Sequence, residues 1–230
     1  MVILTSTHSN LLYLQQSYAS MFELYVVTDR EASGGKEESE IAELAYAGGA
    51  DVVQLRMKNS TEQEMLNQAI MIKEISERHL GLFIVNDNVK VATISDADGV
   101  HLGQSDISTI DETRRMIGID RLIGITVHNV DEAVKAEEIG ADYVSVGSIF
   151  KTSVKPDAVQ NLGLDAVFTI KRAVDIPVIA IGGINRGNIQ DVIRAGADGA
   201  AVVSAALSQP DISRAVHELR DLILKVRPNI

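Results

Sequence analysis

The chain has 230 residues, 46% of them hydrophobic, a formal net charge of -11 and no cysteine, which is enough apolar material for the core of one large α/β domain. The acidic balance excludes a broad basic face for nucleic acid, since neutralising phosphates takes clustered Lys and Arg. The missing cysteines exclude disulfides, thiol catalysis and thiolate metal sites.

No Lys or Arg precedes Phe22, and no apolar run reaches the ~20 residues that a membrane span requires. The expectation is therefore a cytoplasmic protein with no membrane partner, in which residues 1-21 form an N-terminal extension and residues 22-230 one barrel domain. Short apolar, β-branched runs then recur at 24-28, 51-55, 82-86, 99-102, 122-126, 143-146, 177-181 and 199-204. Apolar residues on successive positions mark strands covered on both faces, as in a parallel sheet. Helical patterns separate most of them. Thr61 and Glu64 read as a capping box ahead of an apolar stripe from Met65 to Ile75, and 130-139 and 188-195 are shorter amphipathic segments. A joint repeats between helix and strand, at Gly49-Ala-Asp51, Asp96-Ala-Asp98, Gly140-Ala-Asp142 and Gly196-Ala-Asp198, where glycine suits a left-handed helix end. Eight βα units joined in this way predict a closed (β/α)8 TIM barrel. The alternative, an open doubly wound sheet, lacks its Gly-x-Gly-x-x-Gly fingerprint after the first strand.

In such a barrel the C-terminal strand ends converge on one face, and phosphate typically sits after the last two strands. Gln54, Arg56 and Lys58 leave the second strand with alternation that points all three at the mouth, where a guanidinium fork and an ammonium suit an oxyanion-rich ligand. Asn86 and Asp87 end the third strand and Asp106 follows the fourth. Paired carboxylates there suit Mg2+ with phosphate oxygens, while helix capping by Asp87 and Asp106 is the competing reading. His128, after the fifth strand, is either a general acid or base or a loop-holding histidine. His101, beside the metal candidates and with no second His at metal-ligand spacing, reads as structural or as a support behind the residues that touch the ligand. Gly182 and Gly183, with Val203 and Ser204, close strands seven and eight and can offer backbone N-H groups to an anion. These features point to phosphorylated small-molecule substrates.

The same stretches, in order from about residue 24 to 207, resemble the thiamine-phosphate synthase family: Gln54-Leu-Arg-x-Lys58, Asn86-Asp87, Gly99-Val-His-Leu-Gly-Gln-x-Asp106, His128, Thr152 with Lys155, Ala180-Ile-Gly-Gly-Ile184 and Val202-Val-Ser204. The resemblance implies a Mg2+-assisted transferase that joins hydroxymethylpyrimidine diphosphate to a thiazole phosphate and releases diphosphate. By that resemblance Gln54, Leu55, Arg56, Met57, Lys58 and Asn86 belong to the pyrimidine diphosphate site, with Asp87 and Asp106 as Mg2+ ligands. Thr126 stands where the family usually has a serine touching diphosphate. His128 is grouped with the substrate-binding residues. Thr152, Ser153, Val154, Gly183, Val203 and Ser204 belong to the thiazole phosphate site, and Lys155 meets the diphosphate. Arg56, Lys58 and Lys155 would carry catalysis. Ser148 and Lys151 replace family prolines and Val154 a threonine, which removes one hydroxyl contact and loosens that loop. The rival readings are a thiazole tautomerase using His128 for proton transfer and a non-catalytic precursor-binding regulator. A homo-oligomer stays open.

Overall fold

A computed structural model describes residues 20-104, 109-152 and 161-227. After a 3-10 turn at Ser20–Phe22, eight strands alternate with helices: β1 Leu24–Val27, α1 Glu38–Ala47, β2 Val52–Leu55, α2 Glu62–His79, β3 Leu82–Asn86, α3 Val89–Ile94, β4 Gly99–Leu102, α4 Ile110–Ile117, β5 Leu122–Val127, α5 Val130–Glu138, β6 Tyr143–Gly147, α6 Gly163–Lys171, β7 Val178–Ile181, α7 Ile189–Arg194 and β8 Gly199–Val202. A single turn, α8 Ser204–Leu207, and a long closing helix, α9 Ile212–Leu224, follow. All neighbouring strands are parallel, and β8 pairs with β1, closing a (β/α)8 barrel.

The period of two along each strand sorts side chains into two cores. Phe22, Tyr25, Val27, Val52, Ile84, Tyr143, Ile179 and Ala201 fill the barrel interior. The alternate residues, among them Val26, Val53, Leu55, Val85, Val100 and Val144, pack outward against the helices. Interior room for the Tyr143 ring comes from Gly124, where a Cβ would lie 2.0 Å from the ring.

The repeated joint does more than end helices. Gly49, Asp96, Gly140 and Gly196 all take positive φ, with the aspartate adopting the glycine conformation. The aspartate two residues on then reaches back to the preceding strand: Asp51, Asp98, Asp142 and Asp198 accept the N-H groups of Leu24, Phe83, Ile123 and Val178 at 2.7-2.9 Å. The same pairs return the bond from aspartate N-H to carbonyl. Each carboxylate also meets a helix-borne cation, namely Arg220, Lys73, Arg114 and Lys171. Four equivalent clamps thus tie odd strands to even strands at the N-terminal face, away from the site.

Capping follows the sequence at α2, where Thr61 and Glu64 form the reciprocal box. At α3 the competing reading of Asp87 as the cap gives way: Asn88 accepts from Val91 N-H, and Asp87 sits one residue earlier with φ 62°.

Candidate active site

At the C-terminal end of the barrel lies a cavity of about 360 Å³. Gln54, Asn86, His101, Thr126 and Ser145 from β2 to β6 give it a polar arc, while Tyr25, Val27, Ile179, Ile181, Ala201 and Val203 from β1, β7 and β8 give it an apolar one. A flat heteroaromatic ring fits such a space, with its faces on the apolar arc and its edge on the polar one.

The polar arc is ordered from its rim inward. A carboxylate only accepts hydrogen bonds, so Asp87 fixes the amide beside it: Asn86 Nδ2 donates to Asp87 Oδ2 at 2.6 Å, and Asn86 Oδ1 accepts from Gln54 Nε2 at 2.9 Å. Gln54 is buried and lines the cavity, and with Nε2 given to Asn86 its Oε1 is the acceptor of that amide. Asp87 itself is exposed and donates its N-H to His101 O.

Arg56 stands one residue pair above Gln54. Its backbone N-H donates to Thr28 Oγ1, and its guanidinium faces Asp29 at 3.4 Å. Burial pulls the Arg56 pKa below its ordinary value, opposed by the charges of Asp29 and Asp87. Arg56 and Ser204 also line a second, wider opening of about 960 Å³, shared with Met57 and Lys58. There Arg30 bonds the buried carboxylate of Glu38 at 2.7 Å and Glu37 at 2.5 Å, tying the loop after β1 to the start of α1; the Glu38 bond heads the causes that raise the Arg30 pKa.

On the far wall His128 Nδ1 lies 3.0 Å from Glu132 Oε2, which also accepts the His128 N-H, while Asn129 caps α5. His128 is thereby held at the start of the helix while its ring lines the cavity. Gly182 and Gly183 both take positive φ, and a Cβ at Gly183 would come within 2.6 Å of Lys151 O.

The cavity brings together Gln54, Arg56, Asn86, Thr126, His128, Thr152, Gly183, Val203 and Ser204. Met57 and Lys58 lie on the adjoining opening. Leu55 is not brought to either: its side chain is fully buried in the outer core, because strand alternation turns it opposite to Gln54. Asp106, Ser153, Val154 and Lys155 lie outside the described residues. Sequence reasoning passed over Tyr25, Tyr143 and Ser145, whose inward parity with Gly124 and Thr126 is the signal that could have found them.

A half-polar, half-apolar cavity at the C-terminal end of a (β/α)8 barrel, with Arg56 and Lys58 on the adjoining opening, defines the class of a barrel enzyme with its site at the strand ends. The sequence profile described as thiamine monophosphate synthase matches residues 24-206, and the chain belongs to that family. It is 46% identical over 202 residues to the thiamine-phosphate synthase of Chloroflexus aurantiacus, covering 88% of this chain and 93% of that one. It is equally identical over 202 residues to the thiamine-phosphate synthase of Methanoculleus marisnigri, covering 88% and 95%. The solved structure of thiamine phosphate pyrophosphorylase from Pyrococcus furiosus superposes with a TM-score of 0.83 at 39% identity, covering 90% of this chain and 98% of that one.

Proposed function

We propose that this enzyme is a transferase that joins hydroxymethylpyrimidine diphosphate to a thiazole phosphate, giving thiamine phosphate and diphosphate. The observation that carries this reading is the Asp87-Asn86-Gln54 chain, which runs from an exposed carboxylate to a buried amide on the cavity wall. In this reading the Gln54 carbonyl oxygen receives the amino N-H of the pyrimidine, the ring lies against the apolar arc, and the diphosphate points to Arg56 and Lys58.

In the reaction the exocyclic C-O bond breaks and its electron pair leaves with diphosphate. The thiazole nitrogen then donates its lone pair to the same carbon. No proton has to move for either event, so the site's main task is to favour negative charge on the departing group. Arg56 offers a rigid fork and Lys58 a mobile ammonium. Gly183, Val203 and Ser204 receive the thiazole phosphate, as anions are received after the last two strands of such barrels.

A divalent cation fits the donor set at the rim. Among the described residues no three metal-ligating side chains cluster, and Mg2+ is commonly held by one or two carboxylates plus phosphate oxygens, keeping some of its water. Asp87, exposed at the end of β3, is such a carboxylate, and Asp106 is the second in this reading. When bound, Mg2+ would neutralise charge on the diphosphate.

Isothermal titration of hydroxymethylpyrimidine diphosphate tests the assignment. We expect binding that requires Mg2+ and that weakens at least tenfold in Arg56→Ala, with hydroxymethylpyrimidine lacking the diphosphate bound poorly. Equal affinity with Mg2+ and with excess EDTA would overturn the metal assignment.

A further inference from the structure

An acidic side chain stands behind the arginine of the site. Asp29 follows β1 and Arg56 follows β2, and the two strands pair with Val27 against Gln54. Just beyond, Thr28 N-H donates to Gln54 O at 2.9 Å and Arg56 N-H donates to Thr28 Oγ1 at 3.0 Å. In this register Asp29 Oδ2 lies 3.4 Å from Arg56 Nη1. Both side chains are only 17% exposed, so water screens the pair less than it would one on the open surface. Arg56 lines both the ring cavity and the wider opening, whereas Asp29 lines the opening alone.

The carboxylate is fixed from its other side. Asp29 Oδ1 accepts the Ala32 N-H at 2.9 Å, and Asp29 O accepts the Ser33 N-H, closing a turn. That turn is tied to the residue that ends α8, since Ser208 Oγ donates to Ala32 O at 3.0 Å. With one oxygen committed to the backbone, the direction of the other is set by the turn. Engaging Nη1 holds the guanidinium plane and leaves Nε and Nη2, the side-on fork that matches two oxygens of a diphosphate. A carboxylate so near an anion site also repels the ligand, so it needs a compensating gain, and a fork ordered before binding supplies one.

We infer that Asp29 is a positioning residue that presents the Arg56 fork to the diphosphate and acts on the ligand through Arg56. The identity of the ligand rests on the function proposed above; the pairing of Asp29 with Arg56 does not.

Asp29→Asn separates this role from a structural one. An amide has one acceptor oxygen where a carboxylate has two, so asparagine can keep the Ala32 N-H or face Arg56 but cannot do both. With the turn kept, the urea midpoint should stay near the wild type, and a merely structural aspartate would be replaced without further loss. In calorimetry with hydroxymethylpyrimidine diphosphate at saturating Mg2+, Asp29→Asn should instead weaken binding about three- to tenfold, within the coupling expected of groups in one network. In the Arg56→Ala background the same change should leave affinity unchanged or raise it, because it then only removes an anion beside the diphosphate. In ligand-free protein labelled with 15N-arginine, Arg56, assigned by its loss in Arg56→Ala, should show separate Nη1 and Nη2 signals that merge in Asp29→Asn as the guanidinium is freed to rotate. Wild-type affinity in Asp29→Asn, an equal loss in the Arg56→Ala background, or merged Nη signals in the wild type would each overturn the inference. A loss confined to low Mg2+ would make Asp29 a metal ligand and overturn it too. Absence of any binding by the wild type would overturn the ligand assignment, and the arginine spectra would still decide whether Asp29 holds Arg56.

Discussion

At the scale of single residues, the site works through groups whose orientation is fixed by a neighbour that cannot act otherwise. Asp87 can only accept, so Asn86 and Gln54 are oriented in turn; at such a site a change from amide to acid is not conservative. Gln54→Glu would place a second acceptor against Asn86 Oδ1 and, on the proposed reading, should weaken pyrimidine diphosphate binding by at least tenfold in calorimetry while circular dichroism stays unchanged. Unaltered affinity would mean that the Gln54 oxygen does not receive the ligand's N-H group. Lys155 completes the proposed set of cations. If its contact strengthens as diphosphate departs, Lys155→Ala should lower kcat by roughly 10²- to 10³-fold, the cost of one lost oxyanion-type donor, with smaller changes in KM. Single-turnover kinetics with unchanged chemistry and weaker binding would make Lys155 a ground-state anchor.

At the scale of elements, the aspartate clamps and the α2 capping box show how much of the fold is set at the joints. Each clamp joins two strands and a helix through one carboxylate, so removing one leaves a backbone N-H and a cation without their partner. Asp142→Ala should cost about 1.5-3 kcal/mol in urea unfolding, the range for hydrogen bonds to charged groups. Asp51→Ala with Asp142→Ala should be close to additive, since the two clamps share no partners. A clamp that contributes nothing would leave the midpoint unmoved. At α2, the Thr61 N-H and hydroxyl hold the Glu64 pKa below the ordinary carboxylate value of 4.5. A depressed folded pKa contributes stability above the unfolded value and loses it as the pH falls through the folded one. Thr61→Ala should therefore lower stability at neutral pH by about 1 kcal/mol, as loss of an N-cap does, and by less under acid conditions, measured by urea titration across that window. The strands, the capping box and the helix-ending joints were legible in the sequence because each is a local pattern. The clamps were not, even though their aspartates stood in the repeated joint, because each partner N-H lies on the strand before, 15 to 27 residues away.

At the scale of the whole molecule, closure of the barrel explains both what the sequence disclosed and what it hid. Strand ends share a face in any parallel barrel, so Gln54, Arg56, Asn86, Thr126 and His128 could be gathered from their places at strand ends alone. Leu55 shows the limit of carrying a motif over as a block: alternation turns its side chain into the outer core. The hydrogen bonds that join Tyr25 to Tyr143 and Tyr143 to His101 were illegible because β1 and β4 each reach β6 only across the interior, at sequence separations of 118 and 42 residues. With a net charge of -11, the protein as a whole repels anions, so capture of two phosphorylated substrates has to rest on local cations at the mouth. The measurement that tests this account most directly offers the purified chain both precursors, hydroxymethylpyrimidine diphosphate and thiazole phosphate, with Mg2+, and follows thiamine phosphate and diphosphate together. We predict that the two products appear in equal amounts and that excess EDTA abolishes both. Failure to form thiamine phosphate by a folded protein that binds both precursors would contradict it.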